Sequence, residues 1–370
     1  MSSCLPPALS RRRFLATAAA VTAGGVVAAE VRRRGIRLGF DNFAVRALGW
    51  NARQLIDHAV AVGCDSVFIT DFGPFAGRHD DAALGEIRRY AADRDVEIVL
   101  GSWSICPTST TFKKDWGTAD EHLALGLRMA KALGSKAFRV TLGTEADRLT
   151  PGGIAARIAD TVQVLKAART RAADAGVKIA VENHAGDLQS RELLRLVEDA
   201  GPDFVGVNFD SGNACWTLED PVAALERLAP HVVTTSLRDA MVWETPEGAT
   251  VQWTAMGEGC IDLVAFFDLF EKRCPGVTAH IETISGFAKP VPYFGREFWK
   301  AYPDARAEDF AAFVALARKG RRIEPFLPAG AAGKAEAERR YQLGELDRSI
   351  RHCREALGLG LRDEPLNPRS

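Results

Sequence analysis

The chain has 370 residues, 47% of them hydrophobic and 26% charged, which excludes a disordered or fibrous protein and is ample for a large core. Lys and Arg number 47 against 48 Asp and Glu, a formal net charge of -1. So even a balance gives no electrostatic footprint for a nucleic-acid track or a polybasic membrane surface, so no nucleic-acid partner is expected.

Residues 1–30 read as a targeting segment. Ser10-Arg11-Arg12-Arg13-Phe14-Leu15 sets a run of arginines before small and apolar residues that extend from Leu15 to Ala29. About 15 apolar residues behind a basic region are too few to span a bilayer comfortably and fit an export signal. The paired arginines with Phe-Leu behind them are similar to the bacterial twin-arginine signal. That implies passage through the twin-arginine translocase and a periplasmic or otherwise exported protein, with the segment either cleaved near Val27-Ala28-Ala29 or kept as an anchor. Outside it stand Cys64, Cys106, Cys215, Cys260, Cys274 and Cys353, with no Cys-x-x-Cys spacing. They indicate buried small hydrophobes rather than a zinc knuckle or a disulfide scaffold.

From residue 35 onward short apolar runs alternate with longer amphipathic stretches. Strands are expected at Ile36–Asp41, Ser66–Thr70, Val96–Gly101, Ala137–Thr141, Lys178–Asn183, Phe204–Phe209, Val232–Leu237 and Val277–Glu282. Helices are expected at 51–62, 81–93, 117–133, 152–175, 189–200, 218–229, 262–273 and 305–318. Thr118-Ala-Asp-Glu121 has capping-box spacing, and Thr217 precedes Leu-Glu-Asp in the same way. Strands apolar on both faces and separated by helices argue a parallel sheet. Eight such units over residues 35–322, with no Gly-x-Gly-x-x-Gly turn after the first strand, point to an α/β fold of the (β/α)8 TIM-barrel type. The run 244–259 reads as a loop after strand seven, long enough to cover a pocket, with Trp243 and Trp253 flanking its Gly/Glu/Pro-containing segment as part of a mobile cover. Beyond Glu324-Pro-Phe-Leu-Pro328, residues 334–358 read as a charged C-terminal helical extension that packs on the barrel or on a second subunit of a homo-oligomer.

In such a barrel the chemistry sits at the C-terminal ends of the strands. Strand five ends Val181-Glu182-Asn183-His184, strand six Asn208-Phe209-Asp210, and strand eight His280-Ile281-Glu282. Alternation places Glu182 with His184, Asn208 with Asp210, and Arg139 with Thr141 on common faces. Three carboxylates at one rim repel unless a cation joins them, and an all-oxygen set suits Mn²⁺ or Mg²⁺. Glu182, Asp210 and Glu282 are therefore the expected metal ligands. Trp103, Trp216, Trp243, Trp253 and Phe287 lie in the same loops, as aromatics do in carbohydrate pockets.

At these residues the chain resembles the sugar isomerase/epimerase family of xylose-isomerase-like barrels. The resemblance rests on Val181-Glu-Asn-His184, Phe209-Asp-Ser-Gly-Asn213, Leu237-Arg-Asp239, Gly257-Glu-Gly-Cys-Ile-Asp262 and Ile281-Glu282. It implies a divalent-metal-dependent isomerase or epimerase acting on a keto sugar or sugar derivative through an enediolate. In that picture Glu182 and Glu282 move protons and His184 assists them. Arg139, Trp103, Asn213, Asp239, Trp243 and Trp253 are the expected substrate contacts. Relatives carry His-x-Lys-Asp where this chain has Ser236-Leu-Arg-Asp239, so the fourth metal ligand of the family is a serine here. A lyase that eliminates from 3-keto-glycosides or decarboxylates 3-oxo sugar acids, and a non-catalytic sugar-binding barrel, are the alternatives.

Overall fold

The computed structural model describes residues 31–284, 286, 288–327 and 333–362. The twin-arginine segment and Phe287 lie outside them. The strands are β1 (Leu38–Asp41), β2 (Ser66–Ile69), β3 (Glu97–Ser104), β4 (Ala137–Thr141), β5 (Lys178–Glu182), β6 (Val205–Phe209), β7 (Val232–Thr235), β8 (Asp239–Thr245), β9 (Gly248–Thr254), β10 (Ala279–Ile281) and β11 (Ala288–Val291). Eight of them form one parallel sheet in the order β10-β1-β2-β3-β4-β5-β6-β7. The sheet closes between its ends: Leu237 bridges Ile281, its N–H donates to His280 O at 2.7 Å, and its carbonyl accepts from Glu282 N at 2.8 Å. This is the TIM barrel that the alternation of elements implied, with helices on its outer wall.

The helices arise where the sequence supplies a cap and an apolar stripe. Helix Ala119–Leu133 starts on the Thr118 capping box and ends on Gly134 at φ 79°, a left-handed position that glycine adopts without a Cβ clash. The cap expected at Thr217 is different. Thr217 closes a short helix, Ser211–Trp216, that the sequence reading did not separate, and Asp220 caps the next one, Pro221–Leu228. Pro221 decides this, because proline fits the first helical turn and ends whatever precedes it.

The segment after strand seven is not a loop. β8 and β9 pair antiparallel from Asp239 opposite Thr254 to Thr245 opposite Gly248, and β11 pairs with β9 on the other side. Pro246-Glu247 makes the two-residue turn, and Gly248 takes φ 152°, where a side chain would be strained. Trp243 and Trp253 therefore stand on a three-stranded ribbon. Helix Lys334–Glu355 lies along β1, β10 and the turn Asn42–Leu48, and buries Leu346, Ile350 and Cys353. Gln342 Oε1 accepts from Ala47 N at 2.9 Å, and Gly360 N donates to Ile36 O at 2.9 Å, tying both ends of this stretch to the strand-one unit.

Candidate metal centre

Ladder register brings the polar strand ends together. Glu182, the last residue of β5, is level with Thr141 of β4 and Asn208 of β6. Asp210 follows β6 and caps helix Ser211–Trp216, its Oδ1 accepting from Asn213 N at 2.9 Å. Glu282 follows β10. Each of the three is buried, and each offers an oxygen within 4.8 Å of the others. Ligands held on opposite sides of an ion at about 2.1–2.4 Å lie about 4.2–4.8 Å apart, so the spacing suits one divalent cation.

Their neighbours hold them by charge and hydrogen bonds. Arg139 Nε donates to Glu182 Oε2 at 2.5 Å, Asn208 Nδ2 to the same oxygen at 2.8 Å, and Asn213 Nδ2 to Asp210 Oδ2 at 2.7 Å. Arg238 Nη2 donates to both Asp210 and Glu282. Ser236 Oγ, where the sequence resemblance leads one to expect a histidine, accepts from Asn208 Nδ2 at 3.1 Å and so joins the network through oxygen.

The charges do not balance. Asp41, Glu182, Asp210 and Glu282 are four buried carboxylates that sense one another, and Arg139 and Arg238 are two buried guanidiniums. Burial, with Glu282 nearby, raises Asp41 well above the usual carboxylate range. Burial likewise lifts Asp210 far up despite Arg238, and lifts Glu282, on which Glu182 also presses. Glu182 is pushed up by burial too, but the charges of Arg139 and Arg238 and the hydrogen bond from Arg139 outweigh this and hold it below its ordinary value. Carboxylates raised in this way hold protons unless a cation replaces them, so the all-oxygen donor set fits one divalent ion.

The other expected residues divide into two groups. Arg139 Cζ lies 5.4 Å from the Trp103 ring centroid, Phe43 meets Trp103 edge-on at 5.7 Å, and His184 lies 6.5 Å from the same ring. Trp253 packs under Arg238, whose Cζ is 4.3 Å from its ring, and stacks on Trp216 at 4.1 Å. These belong to the carboxylate group, as does Asn213. Asp239 does not. Its two oxygens accept from the backbone N–H groups of Ala240, Gly257, Gly259 and Ile261, so it organises the 257–261 turn instead of meeting a substrate. Trp243 is half-buried on β8, with no described contact to the carboxylates or Arg238.

Sequence reading missed Asp41 and Arg238. Asp41 ends strand one and accepts from the hydroxyl of Thr70 at 2.5 Å, and its place at a strand end was the available signal. Arg238 lies beyond the end of β7, where no strand alternation fixes a side chain's direction.

The family model described as xylose isomerase-like TIM barrel matches residues 56–296, more than half of the chain. The chain belongs to this family. A curated relative, the uncharacterized protein YihM of Escherichia coli (strain K12), is 29% identical over 125 residues, which span 34% of this chain and 37% of YihM. Among solved structures, a D-psicose 3-epimerase determined in the presence of D-fructose superposes with TM-score 0.53 at 14% identity, over 87% of this chain and 100% of that one. The probable 3-DHS dehydratase AsbF of Bacillus anthracis superposes with TM-score 0.52 at 12% identity, over 77% of this chain and 100% of that one. At such identities both likenesses concern the fold. Membership in the xylose isomerase-like family, together with the buried acidic triad, supports metal-dependent chemistry of the isomerase/epimerase type and leaves the substrate open.

Proposed function

We propose that the protein is a Mn²⁺- or Mg²⁺-dependent isomerase or epimerase that moves a proton beside the carbonyl of a keto sugar or sugar derivative. The observation that carries this reading is the convergence of three buried carboxylates, Glu182, Asp210 and Glu282, with oxygens within 4.8 Å of one another. When bound, the cation supplies Lewis-acid stabilisation of the negative charge that develops on the carbonyl oxygen.

The chain's own groups supply the rest. Glu182 and Glu282 come from β5 and the end of β10, well separated around the barrel. One can accept the proton and the other return it. Arg139 and Asn208 fix Glu182 by two hydrogen bonds to one oxygen, which holds its other oxygen in a defined direction. His184 Nδ1 is 2.7 Å from Gly143 O, a contact that only an N–H can make, so Nε2 carries the lone pair. Burial lowers the His184 pKa, so this ring is a neutral acceptor for a substrate hydroxyl. Trp103 and Phe43 offer an apolar wall to a sugar face.

The test pairs elemental analysis with solvent-deuterium incorporation into a panel of ketoses, 3-keto-glycosides and 3-oxo sugar acids. Glu182→Gln and Glu282→Gln should each lower metal content and cut exchange by about 10²–10⁴-fold. Full exchange by the metal-free protein, or unchanged metal and exchange in both variants, would overturn the assignment. Exchange with release of an aglycone or of carbon dioxide would identify a lyase on the same site. Metal and sugar bound without exchange would identify a binding barrel.

A further inference from the structure

Arg238 stands where an ion shared by the carboxylates would stand. Its Nη2 donates to Asp210 on one side and Glu282 on the other. The chain is built to admit it there. A Cβ on Gly212 would fall 2.4 Å from Arg238 Cγ and 2.6 Å from its Cδ, so only glycine leaves the side chain room to pass. Trp253 forms the floor 4.3 Å beneath the guanidinium, and its Nε1 donates to Gly212 O at 2.9 Å, locking floor and passage together.

Yet the guanidinium uses a single nitrogen. Nε and Nη1 are buried with no hydrogen-bond partner. Arginine in a permanent carboxylate pair usually engages its fork through two parallel N–H bonds. Here it serves as a point charge between two carboxylates, which is the service a metal ion performs. Two cations that share the same pair of oxygens repel each other, so guanidinium and ion exclude one another from Asp210 and Glu282.

We propose that Arg238 is an internal competitor for the divalent ion. Its Nη2 neutralises Asp210 and Glu282 in the metal-free protein and must leave them before Glu182, Asp210 and Glu282 can hold the ion together. The inference rests on the metal-dependent reading above and deepens it. The arginine sets the affinity of the site and keeps the metal-free chain folded, since its removal would strand buried carboxylates without a counter-charge.

The experiment titrates Mn²⁺ into metal-stripped protein, with free ion read by electron paramagnetic resonance and unfolding temperature followed in parallel. Arg238→Gln should bind Mn²⁺ at least about tenfold more tightly than wild type. Its metal-free form should unfold at a lower temperature, with a larger rise on adding Mn²⁺ than wild type shows. Gly212→Ala keeps every charge and pushes the arginine aside, so it should also tighten Mn²⁺. It decides the matter should Arg238→Gln fail to fold. Affinity equal to or weaker than wild type in the variant that folds overturns the competition while leaving the metal site standing. Absence of Mn²⁺ binding in wild type and both variants overturns the metal reading, and this inference with it.

Discussion

His280 shows how one side chain can be dictated by the barrel interior rather than by chemistry. It sits on β10 two residues before Glu282, with Nε2 2.9 Å from Ser66 Oγ and Nδ1 buried without a partner. Its neighbours are a serine, the Phe68 ring at 5.5 Å and the backbone of Gly39, none of which stabilises a positive charge. Burial alone lowers its pKa to about 3. An unfolded histidine titrates near 6.5, so the fold's preference for the neutral ring is fully present above pH 6.5 and is lost as pH falls towards 3. The gap is worth on the order of 4–5 kcal/mol. His122, lowered to about 4 by burial, adds to the same limb. His280→Gln retains a hydrogen-bonding group for Ser66 but does not titrate. Urea unfolding of this variant at pH 7, 5 and 4 should show a shallower loss of stability on acidification than wild type. An unchanged slope would mean that the ring takes up its proton as readily in the fold as in the unfolded chain.

Among the elements, helix Ala119–Leu133 and β4 make a close approach that carries Arg139 to its place. A Cβ on Gly126 would meet Phe138 Cζ at 2.0 Å and its Cε1 at 2.2 Å, so glycine lets the helix lie directly on the ring. Phe138 is fully buried and precedes Arg139 on the strand. Gly126→Ala should gain up to about 1 kcal/mol of helix propensity. It should lose about 1–3 kcal/mol to overpacking, for a net destabilisation. Combining it with Phe138→Leu makes room for the methyl, so the double mutant should be less destabilised than the two single effects added together. Additivity in a denaturant-based double-mutant cycle would show that the ring and the glycine do not act on one another.

At the scale of the whole molecule, the barrel is completed from a distance. The eighth strand is followed by β11 and helix Ala307–Lys319, which packs on β8 of the ribbon, while helix Lys334–Glu355 closes the wall beside β1. Residues 334–362 therefore belong to the packed structure. We also propose that the chain is exported, a reading carried by Arg11, Arg12 and the apolar run behind them. Twin-arginine export moves folded proteins, and the six cysteines outside the segment suit that order of events. All six are free thiols, five of them fully buried, and burial raises Cys64 to about 12 and Cys274 to about 11, which keeps them as unreactive thiols. Replacing Arg11 and Arg12 together by Lys should leave the precursor in the cytoplasm, as fractionation would show. Normal export of that double variant would end the proposal.

The sequence by itself determined the barrel and the rim at which its acidic strand ends meet. Apolar runs of fixed length, caps such as Thr118 and stops such as Gly134 are local signals, and each of the eight barrel strands overlaps an expected one. Their places at the C-terminal ends of strands five, six and eight were enough to set Glu182, Asp210 and Glu282 at one rim, because parallel barrel strands all end on the same side. What needed tertiary structure was everything settled by distant partners. Asp239 reads like a site residue until three backbone amides from the 257–261 turn, with the N–H of the adjacent Ala240, claim its oxygens. The 244–259 run becomes a ribbon because β11 arrives to pair with it. Arg238 is ambiguous in the sequence since its direction depends on a glycine from helix Ser211–Trp216, a tryptophan from β9 and carboxylates beyond the ends of β6 and β10. Only the closed barrel brings those four together, and with them the charge balance that decides what the site can hold.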